Sequence, residues 1–147
     1  MSLEHRSIRS DTIQVVIPSD PDEARPVQEQ IEIQLRQCLF SDHEVFSVRL
    51  AIEEAIVNAI KHGNQLDRAK SVHISYCVGP DQFTIEITDE GEGFDPCDVP
   101  DPTLVENIER PCGRGLMLMR HYMCDVQYND RGNSVHMTKK RANGTPR

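Results

Sequence analysis

The stretch from Ser41 to Gly63 constrains this chain most, because apolar side chains occupy most of its circumference once it is wound into a helix. Ser41 and Glu44 form an S-x-x-E capping box, with Phe40 and Val45 at the staple positions on either side. Lys61 and His62 complement the C-terminal end of the dipole, and Gly63 offers a left-handed cap. These signals predict a helix from about Asp42 to His62. Val45, Val48, Ile52, Ala55, Ile56 and Ala59 fill one face of it, and Phe46, Leu50 and Val57 widen the arc. A helix this apolar must be buried among other layers. Its remaining slot holds Ser47, Ala51, Glu54, Asn58 and Lys61, with Glu54 and Asn58 spaced i,i+4 on one narrow face. An acid and an amide there suit a cation or a polarised water, or else an ordinary exposed polar face. Glu53 points elsewhere, toward Ile60, and reads as a structural or solvated acid.

The layers come from the rest of the chain. Ile13, Val15 and Ile17 alternate as a first strand until Pro18. Asp20, Pro21 and Glu23 then supply an N-cap, a first-turn proline and a capping-box acid ahead of Val27, Ile31, Leu35, Cys38 and Leu39 at helical spacing. Pro26 lies inside that pattern, so the first helix either kinks there or starts nearer Arg25. After the long helix, Val72 to Val78 and Phe83 to Ile87 form a hairpin around Gly79-Pro80-Asp81. From Phe94 to Gly113 periodicity is lost amid four prolines, which predicts a long lid-like loop over about residues 95–112, with room for one helical turn between Leu104 and Ile108. Leu116, Met119, Tyr122 and Met123 mark a short third helix opening at Gly113-Arg114-Gly115. A last hairpin pairs Val126 and Tyr128 with Val135 and Met137 across a turn at Asn129 to Gly132, and the basic tail from Lys139 is expected to fray. The order predicts an α+β two-layer sandwich: a mixed, mostly antiparallel sheet with helices on one face.

Its 147 residues suit one domain, assigned to residues 10–140 between a flexible N-terminus (1–9) and a flexible C-terminal tail (141–147). With 24 acidic against 16 basic residues and a formal charge of −8, the chain repels phosphate backbones and anionic lipid surfaces, so neither nucleic acid nor membrane is an expected partner. No apolar run approaches the roughly 20 residues of a membrane span, and Glu4, His5 and Arg6 stand where a signal peptide needs apolar residues, which points to the cytoplasm. Five cysteines, odd in number and never in a C-x-x-C, imply neither a disulfide framework nor a zinc site.

Two glycine motifs complete the candidate chemistry. Asp89-x-Gly91-x-Gly93 follows a strand, where a carboxylate can face a pocket and glycines let backbone approach a ligand, although turns use the same residues. Gly113-Arg114-Gly115-Leu116 opens a helix, whose N-terminal amides can bind phosphate. Either motif alone fits a plain turn. Together with Glu54-x-x-x-Asn58, in this order and separated by a proline-rich loop, they resemble the N, G1 and G2 boxes of the Bergerat-fold ATPases, which include gyrase, chaperones, histidine kinases and mismatch-repair ATPases. EEAIVNAIKHGN (Glu53 to Asn64) and the ending from Gly113 to Lys140 look most like the anti-sigma-factor serine/threonine kinases of that superfamily. The other branches need additional domains or a phosphoacceptor hairpin, so a chain of this length is expected to be a free-standing ATP-binding domain.

That resemblance implies ATP and Mg²⁺ as cofactors, with Asn58 helping to hold the metal and Glu54 taking the proton from an attacking serine hydroxyl. It implies Asp89 on the adenine amine with Ser134 as a possible helper, Gly91 and Gly93 shaping the adenine end, and Lys61 and His62 closing the helix near the nucleotide. Arg110, Gly113, Arg114, Gly115 and Leu116 would lie along the phosphates beneath the lid. It further implies a homodimer that binds a sigma factor and phosphorylates an antagonist protein; the rival is a nucleotide-sensitive switch that transfers no phosphate. Three departures from the family pattern stand out: Asn133 occupies the place after Gly132 where the family usually has threonine, one extra residue separates Arg110 from the G-x-G, and the acidic, proline-rich lid is unlike the family's.

Overall fold

The computed structural model describes residues 12–91 and 111–142, with the backbone alone for 111–116. The elements are β1 (Ile13–Pro18), α1 (Pro21–Gln37), α2 (Asp42–Val57), a π-helical turn (Asn58–Gly63), β2 (Ser71–Val78), β3 (Gln82–Thr88), α3 (Pro111–Tyr122), β4 (Asp125–Tyr128) and β5 (Ser134–Lys140). The strands form one sheet in the order β1-β2-β3-β5-β4. All four pairings are antiparallel, so among the described strands the expected mixed character is absent and only the antiparallel part remains. The two-layer α+β architecture is as the sequence implied.

Alternation decides which face of the sheet is covered. Ile17, Val72, Ile74, Tyr76, Phe83, Ile85, Ile87, Val126, Val135 and Met137 are buried, while His73, Glu86 and His136, on the alternate positions, are exposed. The buried face meets Val27, Ile31 and Leu35 of α1, the apolar side of α2, and Met119 of α3 in one cluster. α2 packs against both α1 and α3. Ser47, Ala51 and Asn58 are therefore buried, and it is Phe46, 52% exposed, that faces outward. Much of the slot read as polar lies under cover, with Glu54 half-buried and Lys61 exposed at its end.

The helix ends show the local rules at work. The Ser41–Glu44 box is made in full: Glu44 N–H donates to Ser41 Oγ at 3.1 Å, and Ser41 N–H donates to Glu44 Oε1 at 2.7 Å. Asp20 caps α1 by accepting from Asp22 N–H at 3.0 Å and is held by Arg68 at 2.8 Å, where a box with Glu23 was expected. α1 begins at Pro21 and runs through Pro26, so the later start near Arg25 is not adopted. It ends in a Schellman motif, with Phe40 N–H to Leu35 O and Leu39 N–H to Arg36 O, and with Leu39 itself left-handed at φ 68°.

Three further expectations are corrected. Gly63 is not left-handed; after the π turn the chain reverses through Gln65 and Leu66, at φ 54° and 62°. α3 starts at Pro111, a favoured first-turn residue, rather than at Gly113. The fraying expected from Lys139 onward does not occur through Ala142. Lys139 and Lys140 lie in β5, Lys139 Nζ donates to Tyr122 O, Arg141 donates to Pro80 O and Asp81 O, and Ala142 N–H donates to Glu44 Oε2. The remainder of the predicted loop, with its helical turn near Leu104, lies outside the described residues.

Candidate functional site

A cleft opens where the π turn passes the ends of β3 and β5. Its walls are Ala55, Asn58, Ala59 and Gly63 from the helix side, Ile87 and Asp89 from β3 and its exit, and Tyr128, Asn133 and Val135 from the last hairpin. Small side chains make the room: Ala55 of α2 and Ala59 of the π turn sit one helical turn apart where larger residues would fill the gap. The cleft is narrow and partly open to solvent.

Asp89 is the acid of the cleft. It is 8% exposed, and its Oδ1 already accepts from Gly91 N–H at 2.8 Å. Oδ2 is left without a partner among the described residues, so it can accept from a ligand. Burial raises its pKa above the ordinary aspartate value, against the opposing pull of the Gly91 N–H and the charges of Arg131 and Lys70. Gly63 and Gly91 press on this carboxylate. A Cβ on Gly63 would stand 2.2 Å from Asp89 Oδ2, and one on Gly91 would stand 1.9 Å from Gly63 O. Only hydrogen fits at either position.

Asn58 is the amide. It opens the π turn, is 5% exposed, and neither its Oδ1 nor its Nδ2 has a hydrogen-bond partner among the described residues. Leaving both ends of a buried amide unpaired costs about 1–3 kcal/mol per group, so such a side chain is explained by something that binds it. A hard cation coordinated through Oδ1 would satisfy the oxygen and leave Nδ2 to donate to a phosphate or water oxygen, and the amide suits Mg²⁺, which takes few protein oxygens and fills its shell from phosphate and water. π turns of this kind interrupt helices most often at functional sites.

The other predicted residues fall in different places. Glu54 is half-buried one helical turn before Asn58, on the same face. Glu53 is exposed and faces a separate groove with Asp22, Arg25 and Gln28, which separates the two acids as their spacing implied. Lys61 and His62 are exposed on the π turn and do not line the cleft. Gly113, Arg114, Gly115 and Leu116 all belong to the opening turns of α3. With the helix starting at Pro111, the Gly113 amide stays outside the helical ladder while that of Gly115 enters it. Gly93 and Arg110 lie outside the described residues.

Ser134 does not line the cleft. Its hydroxyl and that of Thr88 share a hydrogen bond at 2.6 Å, and the residue of this turn that lines the cleft is Asn133. Asn133 Nδ2 donates to Asp89 O at 3.0 Å, and Asp89 N–H donates to Asn133 O at 2.8 Å. The signal was in the sequence, since Asn133 directly follows Gly132. Gly63 carried a signal that pointed to a helix cap instead, and Tyr128 carried none beyond its strand register.

Residues 17–139 match the model of the histidine kinase-like ATPase domain. The chain belongs to that family. It is 31% identical over 110 residues to the serine-protein kinase RsbW of Listeria monocytogenes, across 68% of each chain. It is 28% identical over 95 residues to the serine/threonine-protein kinase BtrW of Bordetella bronchiseptica, across 63% of this chain and 67% of that one. It is 26% identical to RsbW of Oceanobacillus iheyensis over 136 residues, 88% of this chain and 86% of that one. These relatives place it in the RsbW and BtrW branch of the histidine kinase-like ATPases. A crystal structure of the RsbU and RsbW domains of a Mycobacterium tuberculosis protein shares the fold, with a TM-score of 0.59 and 14% identity; the match spans 88% of this chain and 32% of that one. Among the described residues no helix is long and apolar enough to cross a membrane.

Proposed function

We propose that this protein is an anti-sigma-type serine/threonine kinase that binds ATP with Mg²⁺, holds a sigma factor, and phosphorylates a serine or threonine on an antagonist protein. The observation that carries this reading is the unpaired buried amide of Asn58, set between Glu54 and a cleft that ends in Asp89. Asp89 Oδ2 accepts from the adenine amine at the closed end, which leaves the triphosphate to run toward Glu54 and the opening turns of α3. Bound Mg²⁺ would be held by Asn58 and would neutralise phosphate charge. Glu54 takes the proton from the incoming hydroxyl, whose oxygen forms the new bond to phosphorus as the bond to the leaving ADP breaks. Lys61 and His62 are exposed beside this line, and Lys61 adds positive charge to its rim. The formal charge of −8 favours protein partners over nucleic acid, and we place the kinase in the cytoplasm as a homodimer, as the family resemblance implies.

Labelled-phosphate transfer to a candidate antagonist, run beside a nucleotide titration, tests the assignment. Glu54→Gln keeps size and shape but removes the proton acceptor, so transfer should fall by roughly 10²–10⁴ with nucleotide affinity retained. Asn58→Ala should weaken Mg²⁺-dependent binding itself, and Glu53→Gln should be nearly silent. A wild type that binds ATP and its protein partners yet transfers no phosphate would overturn the kinase reading in favour of a nucleotide-sensitive switch.

A further inference from the structure

Asn64 is a fully paired side chain beside the cleft, although it does not line it. It is fully buried, and each of its polar atoms is engaged with a different part of the fold. Nδ2 donates to Ser19 Oγ at the corner between β1 and α1, and to Ser71 O at the start of β2, both at 2.9 Å. Oδ1 accepts from Glu90 N–H at 2.7 Å. The partners fix the amide's orientation, because Ser71 O can only accept and Glu90 N–H can only donate. Ser19 Oγ in turn donates to Lys70 O at 2.9 Å.

Glu90 is the middle residue of the Asp89–Gly91 turn, and Asn64 directly follows Gly63, whose backbone that turn touches. The turn is held on its other side by the paired hydrogen bonds between Asp89 and Asn133 and by Arg131 donating to Gly91 O at 3.1 Å. On the helix side, the bond from Glu90 N–H to Asn64 ties the backbone of the turn directly to the residue that follows the π turn, while the Glu90 side chain is held to β2 by His73 Nε2 at 2.8 Å and by the Ser71 N–H. Contact with Gly63 can stop the turn from approaching, but contact alone cannot stop it from moving away.

We propose that Asn64 is a positioning residue for base recognition, setting the depth at which the Asp89 carboxylate meets a purine amine. The inference rests on the adenine reading of the cleft. Its consequence is specific: losing Asn64 should blur the distinction between a base that carries an amine at that position and one that carries a carbonyl. The phosphate end, built on Asn58 and Glu54, is held by α2 and should be little affected.

The test compares Mg-ATP and Mg-GTP binding and transfer kinetics for wild type, Asn64→Ala and Ser19→Ala. Ser19→Ala removes an arm of the same network but leaves Glu90 bonded, so it reports the effect of general loosening. Asn64→Ala should reduce the ATP-over-GTP preference by roughly tenfold or more, raise KM for ATP, and leave kcat at saturation within about twofold. Ser19→Ala should lower stability with the preference intact. If Asn64→Ala does not fold, Asn64→Asp, which keeps an acceptor for Glu90 N–H whether or not it is protonated, should retain the preference. In wild type, the Glu90 amide should be protected from hydrogen exchange before nucleotide is added. Equal weakening of ATP and GTP in Asn64→Ala, loss of preference in folded Asn64→Asp, or an unprotected Glu90 amide would each overturn the proposal. A wild type with no preference for ATP would instead remove the adenine reading beneath it.

Discussion

Asp89 carries a conflict between folding and binding. Because burial raises its carboxyl above the ordinary aspartate value, the folded state binds the proton more tightly than the unfolded chain, and this group's contribution to stability falls as pH rises through that window. At neutral pH the ionised form works against the nucleotide-free fold, since the Gly91 N–H and the charges of Arg131 and Lys70 offset only part of the burial cost, and it gains further when a donor reaches Oδ2. Asp89→Asn should therefore raise the melting temperature of the nucleotide-free protein while removing the upward shift produced by Mg-ATP; a variant less stable than wild type at pH 7 without nucleotide would refute this. Leu39 shows strain of another kind, since a left-handed leucine at a helix C-terminus costs about 1–2 kcal/mol relative to a relaxed conformation, and 76% exposure means its side chain returns little. Leu39→Gly should stabilise the chain by up to about 1 kcal/mol in denaturant unfolding, net of the entropy of glycine. Residue identity made Asp89, Asn58 and Glu54 legible as candidates. Asn64 was not, because an asparagine after a glycine reads as turn chemistry until the chain segments that meet around it are placed.

At the scale of elements, the clearest signals were those confined to a few neighbouring residues: the Ser41–Glu44 box, the alternation of β2 and β3, and the register that sets Val126 against Met137. Where a second segment decides the outcome, the local rule lost. Gly63 has cap chemistry but is required because Asp89 lies against it, and the helix widens into a π turn just where Asn58 must face the cleft. The covered slot of α2 could not be told from an exposed face without knowing that α3 packs there. Glu44 joins both kinds of information, since its local cap also receives Ala142 N–H from beyond β5. Burial pushes its pKa up, but the Ser41 and Ala142 amides, the Ser41 hydroxyl and the charge of Lys139 outweigh that and leave it below the ordinary glutamate value. An acid of lowered pKa contributes stability that is complete above its unfolded pKa and lost as pH falls through the folded one. Glu44→Gln should thus flatten the acid limb of the stability profile and cost about 1–2 kcal/mol at pH 7, as expected for a cap that loses its charge. An unchanged acid limb would show that the link to Ala142 is not made in solution.

For the whole molecule, the decisive arrangement is a sheet covered on one face, with the site at the seam between that cover and the strand ends rather than in the core. The core closes without the ligand, yet the seam leaves the Asn58 amide unpaired and the Asp89 carboxylate buried, two local costs that binding can relieve. A chain with formal charge −8 also gains little from a bare polyphosphate, so productive binding should require the cation as well as the nucleotide. At one hundred times the dissociation constant, Mg-ATP should stabilise the fold by about 2.7 kcal/mol. For a domain of this size that corresponds to a rise in melting temperature of roughly 5–10 °C. ATP with EDTA should give much less, and Mg²⁺ alone little, because Asn58 offers a single amide and needs phosphate oxygens to complete the shell. In Asn58→Ala the Mg²⁺-dependent part of the shift should vanish, while the nucleotide-free protein should be no less stable than expected for removing an unsatisfied buried amide. An equal thermal shift with and without the cation would place the metal elsewhere and take Asn58 out of the site.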